Sequence, residues 1–200
     1  MKLSAVIITY NEEKNIARCI QSLLPVADEI IVWDSLSTDS TREICIALGA
    51  KVFQEAWAGF SESKNKANAK ANGEFILSID ADEELSPDLI SSVLDFKNRP
   101  GVDAAELNRL TNYCGQWIYH GGWYPEYKTR IFRKEIAEWR GNIHEELFFH
   151  QKQVVVRLAG HLQHYSFPSI EYHSKKVVAY AALAAAKDFE AGKHYNLIVH

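Results

Sequence analysis

Two aspartates, Asp80 and Asp82, directly follow the apolar run FILSI at residues 75–79. Side chains two residues apart on an extended strand point to the same side, so both carboxylates can face one ligand if the strand geometry persists. Carboxylate oxygens suit hard cations such as Mg²⁺ or Mn²⁺, which often share their coordination with substrate phosphates. The spacing therefore predicts a divalent-cation site for a diphosphate ligand at a strand end.

The acids that flank this pair have a simpler explanation. Ser86 and Pro87 are typical N-cap and first-turn residues of a helix, and the N-terminus of a helix favours negative charge. We therefore expect Glu83, Glu84 and Asp88 to complement that helix rather than to hold a cation.

Alternating apolar runs and helical patterns predict strands at about 3–9, 29–34, 50–54 and 74–80, which is typical of an α/β fold with a largely parallel sheet. In such sheets ligands bind at the carboxyl ends of the strands. Three polar segments follow predicted strands and should converge on one crevice: Thr9-Tyr10-Asn11-Glu12, the segment 34–39, and Asp80-Ala81-Asp82. Asn11 is also a candidate N-cap for the first helix.

Composition and charge exclude several classes of protein. The net charge of −4 and the scattered basic residues do not fit a nucleic-acid binder. The sequence has neither the P-loop nor the dinucleotide-binding glycine pattern. Three cysteines without a C-x-x-C pair indicate free thiols in a reducing cytoplasm, and no apolar run reaches the ~18 residues of a membrane span. We expect a cytoplasmic protein.

Five segments carry a resemblance to a known family: VIITYNEEKNI, IIVWDSLSTDSTREI, NKANAKANGEFILSIDADEEL, GGWYPEYKTRIFRKE and NIHEEL. In this order they resemble family 2 glycosyltransferases of the GT-A fold, most closely the lipopolysaccharide-core glucosyltransferase-like branch. The resemblance implies one GT-A domain over residues 1–200, with a nucleotide-sugar-binding half at 1–99 and an acceptor-binding half at 100–200. It implies an inverting enzyme that uses Mn²⁺ or Mg²⁺ to move a sugar from a nucleotide sugar, expected to be UDP-linked, to a lipopolysaccharide-core or other surface glycan.

The resemblance also assigns roles to residues of the first half. Thr9, Asn11 and Glu12 would lie at the nucleotide, where Tyr10 would stack on the base, Asp34 would accept from base or ribose, and Lys64 would face the ligand. Asp80 would contact the ribose or metal, and Asp82 would hold the metal. Leu36 and Ser40 stand where the family's loop has glycines, which puts that loop's backbone in doubt. Related proteins tend to continue past the last helix, so the chain could lack a C-terminal segment.

In the second half, Glu145 is the expected catalytic base and Glu146 the alternate, by their place in the family-like HEE. An H-E-x-x-H zinc site is absent because Phe148 occupies the fifth position. Trp123 and Tyr124 could present flat faces to an acceptor sugar. Arg130 and Arg133 could clasp acceptor phosphates or carboxylates. We expect His161 and His164 to be structural or acceptor-facing rather than metal ligands.

Two alternatives to a surface-glycan transferase stay open from the sequence. One is a polyprenyl-phosphate glycosyltransferase, whose nucleotide half would look alike, and the other is a nucleotide-sugar binding protein that has lost catalysis. The last predicted helix, 170–191, carries Lys175, Lys176, Lys187 and Lys193 beside an apolar face that includes Val177 and Val178. We expect that face to pack on the core, with peripheral contact to an anionic membrane at the cytoplasmic side as the alternative.

Overall fold

The computed structural model describes residues 1–141, 145–190 and 192. Its helices are α1 (Ile16–Leu23), α2 (Thr41–Ala47), α3 (Phe60–Ala69), α4 (Pro87–Lys97) and α5 (Ile170–Glu190). Its strands are β1 (Leu3–Thr9), β2 (Glu29–Asp34), β3 (Lys51–Gln54), β4 (Phe75–Asp80), β5 (Glu83–Leu85), β6 (Ala104–Tyr113), β7 (Gln116–Trp117), β8 (Glu126–Arg133), β9 (Ala137–Arg140), β10 (Glu146–Phe149) and β11 (Val155–Phe167).

One large mixed sheet organises the molecule, in the strand order β3-β2-β1-β4-β8-β6-β11-β5, with β7 on β6. The strands from β3 to β4 are parallel, whereas β8 runs antiparallel to both of its neighbours. The register pairs Thr9 with Asp34 and Ile8 with Asp80. The carboxyl ends of β1, β2 and β4 therefore meet at one edge of the sheet, as the sequence predicts.

The four strands predicted in the first half are confirmed. Those predicted at 3–9 and 29–34 match residue for residue, and the other two begin one residue later than predicted. The predicted cap of α4 is also confirmed, since the Ser86 hydroxyl accepts from the Leu89 amide and Pro87 occupies the first turn. Asn11, however, is not a helix cap, because α1 begins after Asn15.

The prediction that Glu83 and Glu84 complement the N-terminus of α4 is wrong. Both belong to the short strand β5, which pairs antiparallel with β11 before α4 begins. Glu83 is 1% exposed and accepts from Arg130, and the Glu84 carboxylate accepts from the Tyr165 hydroxyl. A helix dipole favours acids only within the first turn, and there only Asp88 fits the prediction.

Apolar side chains that alternate along the central strands cover both faces of the sheet. Leu3, Ala5 and Ile7 pack with α1 and α4 on one face, while Val6 and Ile8 pack with Ala67 of α3 and with Trp139 on the other. This two-sided burial fits parallel strands covered by helices. The central strands that lead to these carboxyl ends are therefore covered on both faces.

Helix α5 extends from the end of β11 and has an exposed apolar side. Val177, Val178 and Phe189 are 53%, 70% and 84% exposed. The expectation that this face packs on the core is therefore wrong for Val177 and Val178. Lys193 lies outside the described residues, as does the Lys187 side chain. Within residues 1–141, 145–190 and 192, no helix is long and apolar enough to cross a membrane.

Gly160, at a φ of 89°, lets β11 approach the start of α4. A Cβ there would lie 2.7 Å from Leu89 Cα and 2.8 Å from the Asp88 carbonyl carbon, both backbone atoms. We expect Gly160→Ala to lower the free energy of unfolding by about 1–3 kcal/mol more than Gly101→Ala, measured by urea denaturation. Gly101 is the matched control, because its φ of 71° carries the same left-handed strain and no atom lies within 4 Å of its Cβ position. Equal losses of unfolding free energy in the two variants would mean that close packing does not explain the glycine at position 160.

Glu29 ties together the amino edge of the sheet. Its carboxylate accepts from Ser4 Oγ at 2.6 Å, from the Asn72 amide at 2.6 Å and from Lys51 Nζ at 2.8 Å. Although burial opposes ionisation, these donors lower the pKa of Glu29 from 4.5 to about 2.

Because the folded-state pKa lies below the unfolded one, ionised Glu29 stabilises the fold above about pH 4.5, and this contribution is lost as the pH falls towards 2. We expect the stability difference between the wild type and Glu29→Gln to be largest near pH 7 and to shrink through that window. Urea denaturation at several pH values measures it. A stability difference that stays constant with pH would show that the charge of Glu29 does not stabilise the fold.

Candidate functional site

A cavity of about 760 Å³ opens at the carboxyl edge of β1, β2 and β4. Residues from the second half, including Arg109 of β6 and His164 of β11, complete its wall. Six of the residues predicted to form the site line it: Thr9, Tyr10, Glu12, Asp80, Asp82 and Glu145. The structure thus brings the polar ends of β1 and β4 together with an acid from far along the chain.

One part of the wall offers groups suited to a nucleoside. The hydroxyls of Thr9 and Ser35 are buried, and among the described residues they have no hydrogen-bond partner. Buried polar atoms normally find a partner, so these two hydroxyls stand out beside the cavity wall, although their oxygens are not exposed to it. Tyr10 is 58% exposed, which leaves its ring free to stack. The sequence assigned Thr9 and Tyr10 to the nucleotide, and it placed Ser35 in the converging segment 34–39 without giving it a role.

The loop after β2 supports this wall from behind. Asp34 is fully buried, and its carboxylate accepts from the Ser37 hydroxyl at 2.5 Å and from Gln54 at 2.7 Å. Asn11, at a φ of 54°, accepts from the Thr38 amide at 2.8 Å. Asp34 and Asn11, both predicted to contact the nucleotide, therefore bond groups of this loop, and among the described residues neither lines the cavity.

Leu36 shows how this loop forms without the expected glycine. Its φ of 63° is the left-handed conformation that glycine adopts most easily. A leucine there costs roughly 1–2 kcal/mol. The loop after β2 therefore keeps a glycine-like backbone at Leu36, under strain.

A line of alternating charges runs from the cavity wall into the protein. Arg130 donates to Asp80 at 2.8 Å and to Glu83 at 2.9 Å. Lys64, only 2% exposed, lies 3.3 Å from the other oxygen of Asp80 and 2.9 Å from Glu145. Lys64 therefore supports the acids of the site, whereas the sequence predicted that it would face the nucleotide.

These contacts set the charge of Asp80. Burial opposes its ionisation, but the cations Arg130 and Lys64 outweigh burial and hold the pKa of Asp80 well below its ordinary value. For Glu83 burial prevails, and its pKa is raised. Asp80 is therefore an anion whose two oxygens are each already held by a cation.

Asp82 lies in the turn after β4, so the strand geometry assumed for the pair does not persist. Its carboxylate is 3.3 Å from His164 Nε2. Although burial opposes ionisation, the hydrogen bond from His164 keeps the pKa of Asp82 below its ordinary value. His164 was expected to be structural or acceptor-facing, but the structure places it beside Asp82 on the cavity wall.

Asp82 and His164 are the side chains best placed to hold a divalent cation. A carboxylate oxygen and an imidazole nitrogen are both common metal ligands, and Asp80 is occupied by its ion pairs. In the part of the chain that the structure describes, no cluster of three or more His, Cys, Asp or Glu residues forms a metal site. A cation here would therefore need oxygens from the substrate, which is how Mg²⁺ commonly binds nucleotides.

The predicted acceptor arginines lie elsewhere. Arg130 is 5% exposed and held by carboxylates, so an acceptor could not reach its guanidinium. Arg133 pairs with Asp103 and Glu74 beside Phe75, at the other end of β4. At about 3.3 Å per residue, that is roughly 16 Å from Asp80. Among the residues that the structure describes, neither arginine lines the large cavity.

Trp123 lines a separate groove of about 450 Å³, with Tyr113 and His173. The Tyr124 hydroxyl is 3.1 Å from His161 Nε2, so these two predicted residues contact each other. Glu146 is exposed on β10 and, among the described residues, does not belong to the wall of the large cavity. His144 of the HEE segment lies outside the described residues.

Comparison with known proteins identifies the family and the fold of the chain. The sequence profile described as "Glycosyl transferase family 2" matches residues 4–161. An uncharacterized glycosyltransferase of Rickettsia typhi is 33% identical over 98% of this chain and 70% of its own length. The glycosyltransferase SunS of Bacillus subtilis is 33% identical over 70% of this chain and 33% of its own length.

Solved structures show the same fold at low identity. TarS of S. aureus, residues 1–349 in complex with UDP-GlcNAc, gives a TM-score of 0.62 at 20% identity over 87% of this chain. Mannosyl-3-phosphoglycerate synthase of Rubrobacter xylanophilus gives 0.59 at 19% identity, over all of this chain and 77% of its own. This chain spans 61% of the TarS fragment.

The expected GT-A fold is confirmed by these neighbours. The profile covers most of the chain, and the Rickettsia relative matches nearly all of it. The chain therefore belongs to glycosyl transferase family 2.

Proposed function

We propose that this protein is an inverting glycosyltransferase that moves a sugar from a UDP-linked donor to a cell-surface glycan. The observation that carries the proposal is one cavity lined by Thr9 and Tyr10, by the Asp82–His164 pair and by the separate acid Glu145. In that order, these groups suit a nucleoside, a diphosphate with its cation, and an acceptor hydroxyl. The solved complex of TarS with UDP-GlcNAc supports the donor class.

In the proposed reaction the acceptor hydroxyl attacks the anomeric carbon while the bond from that carbon to the diphosphate breaks. Glu145 takes the proton of the attacking hydroxyl, and the bonding electrons remain on the diphosphate. A divalent cation held by Asp82 and His164 would stabilise the charge on this leaving group. Lys64 fixes the position of Glu145 through their 2.9 Å contact.

The choice of Glu145 over Glu146 rests on their surroundings. Glu145 lines the cavity and contacts Lys64, whereas Glu146 is exposed on β10. A general base must come within hydrogen-bond reach of the proton that it removes, directly or through one water. Of these two glutamates, Glu145 is the one that lines the large cavity within the described part of the chain.

The groove beside Trp123 favours a saccharide acceptor over a lipid phosphate. It is lined mainly by aromatic rings and glycines, and Trp123 is 40% exposed. Flat aromatic faces stack well on sugars, while phosphate recognition prefers clustered cations. We accordingly place a lipopolysaccharide-core or similar glycan first and a polyprenyl phosphate second. Contact of α5 with the cytoplasmic side of a membrane remains part of this proposal.

The donor and metal assignments predict a specific pattern of ligand stabilisation. UDP with Mn²⁺ should raise the melting temperature more than UDP alone or ADP with Mn²⁺, because a ligand that binds only the folded state stabilises it. Asp82→Asn should abolish the Mn²⁺-dependent part of the shift. Asp88→Asn, which removes the same charge from the exposed start of α4, should leave it unchanged. Loss of the Mn²⁺-dependent part in both variants, or in neither, would contradict the metal role of Asp82.

The base assignment predicts that Glu145→Gln lowers kcat for glycosyl transfer by about 100-fold or more, while UDP binding is retained. Glu146→Gln is the control, with the same chemistry one residue away, and should change kcat little. Transfer to core oligosaccharide and to extracted polyprenyl phosphate is measured with a panel of UDP-sugars. Equal effects of the two variants would contradict the assignment. UDP binding by the wild type without transfer from any donor would favour the inactive binding protein.

A further inference from the structure

Helix α5 contributes one side chain to the large cavity. Lys176, in its second turn, lines the cavity together with Asp82 and His164. The start of the helix is fixed by His173, whose Nδ1 is 3.1 Å from the Tyr113 hydroxyl and whose ring is 4.2 Å from that of Phe167. Lys176 lies one helical turn beyond this anchor, so its backbone is held at the rim.

Lys176 differs from the other cations near the cavity in its pairing with carboxylates. Arg109 is bound through two hydrogen bonds to Glu126, and Lys64 lies beneath the wall between Asp80 and Glu145. Lys176 alone of these has no carboxylate within 4.0 Å of its Nζ in the described ranges of the chain. It is thus a cavity cation whose charge is not already neutralised by a close ion pair.

Two aromatic rings hold the ammonium group of Lys176 loosely. Its Nζ is 5.6 Å from the ring centre of Phe167 and 5.8 Å from that of Tyr172. Cation–π contacts at such distances are weak, so an anion in the cavity would compete with them successfully.

The acids of the wall create a need for such a cation. Glu12 and Asp82 both line the cavity, and an incoming diphosphate would be repelled by them unless positive charge compensates. Because Arg109 and Lys64 are already paired, Lys176 is the lysine or arginine of the described cavity wall that can add to the compensation by a bound divalent cation.

The geometry points to Lys176 as a direct contact to the diphosphate of the nucleotide donor. This inference rests on the proposed function and adds a residue to it. Lys176 binds a phosphate oxygen in the donor complex, and it stabilises the negative charge that the diphosphate gains when its bond to the anomeric carbon breaks. The ligand class is a nucleoside diphosphate, and the inferred contact is to the diphosphate rather than to the uridine moiety.

The test compares Lys176→Met with Lys175→Met. Lys175 is the matched control, because it is adjacent in sequence, carries the same charge and pairs with Glu171 at the exposed surface. With Mn²⁺ present, we expect Lys176→Met to weaken UDP binding about tenfold or more by calorimetry. Binding of uridine, followed by ligand-observed NMR, should be unchanged, and Lys175→Met should behave as the wild type with both ligands. Lys176→Arg should restore most of the affinity for UDP.

Each other outcome has a definite meaning. If the wild type and Lys176→Met bind UDP equally well, this inference is overturned while the proposed function stands. Equal weakening of UDP and uridine binding would show general damage to the cavity and would also overturn it. If the wild type binds no UDP, the proposed function fails and this inference fails with it.

Discussion

The ion pair between Asp80 and Arg130 determines how the two halves of the chain meet. Asp80 ends the central strand β4, Arg130 belongs to the neighbouring strand β8, and their contact of 2.8 Å joins a buried guanidinium to a partly buried carboxylate. Burying charges is costly unless each one is paired and hydrogen-bonded. Glu83 and Lys64 complete that pairing, so β5 and α3 are drawn to the same point.

This arrangement explains why the cavity wall combines distant parts of the sequence. Lys64 bridges Asp80 and Glu145, which are 65 residues apart in sequence number, and so connects the end of β4 to the segment that leads into β10. A change at Lys64 would disturb the nucleotide side and the acceptor side together. By contrast, Asp82 contacts His164 outside this chain of ion pairs and remains open to the cavity.

The sequence was informative where local patterns decide the structure. Alternating strands and helices predicted β1 to β4, and the convergence of their polar ends followed from parallel pairing. It was less informative where register across distant strands decides the contacts. Nothing near Glu83 in the sequence shows that Arg130, 47 residues later, removes it from the helix terminus and from solvent.

The same limit applies to the site itself. His164 reaches Asp82, and Lys176 reaches the cavity, only because β11 runs beside β6 and places α5 at the rim. Asp34 illustrates the reverse case: the resemblance identified the residue, but the hydrogen bonds of its own loop determine where the carboxylate points. Spacing alone could not separate residues that face a ligand from those that support the wall.

The contact between Lys64 and Glu145 has a consequence for electroneutrality. Ion pairs connect Glu145, Lys64, Asp80 and Arg130 into one group. With Glu83, which also contacts Arg130, this group holds three carboxyl groups and two cations. When Glu145 takes up a proton in the proposed reaction, the group loses one negative charge at the moment when the departing diphosphate becomes more negative. The ion pairs beside the cavity would thus change their total charge in step with the leaving group.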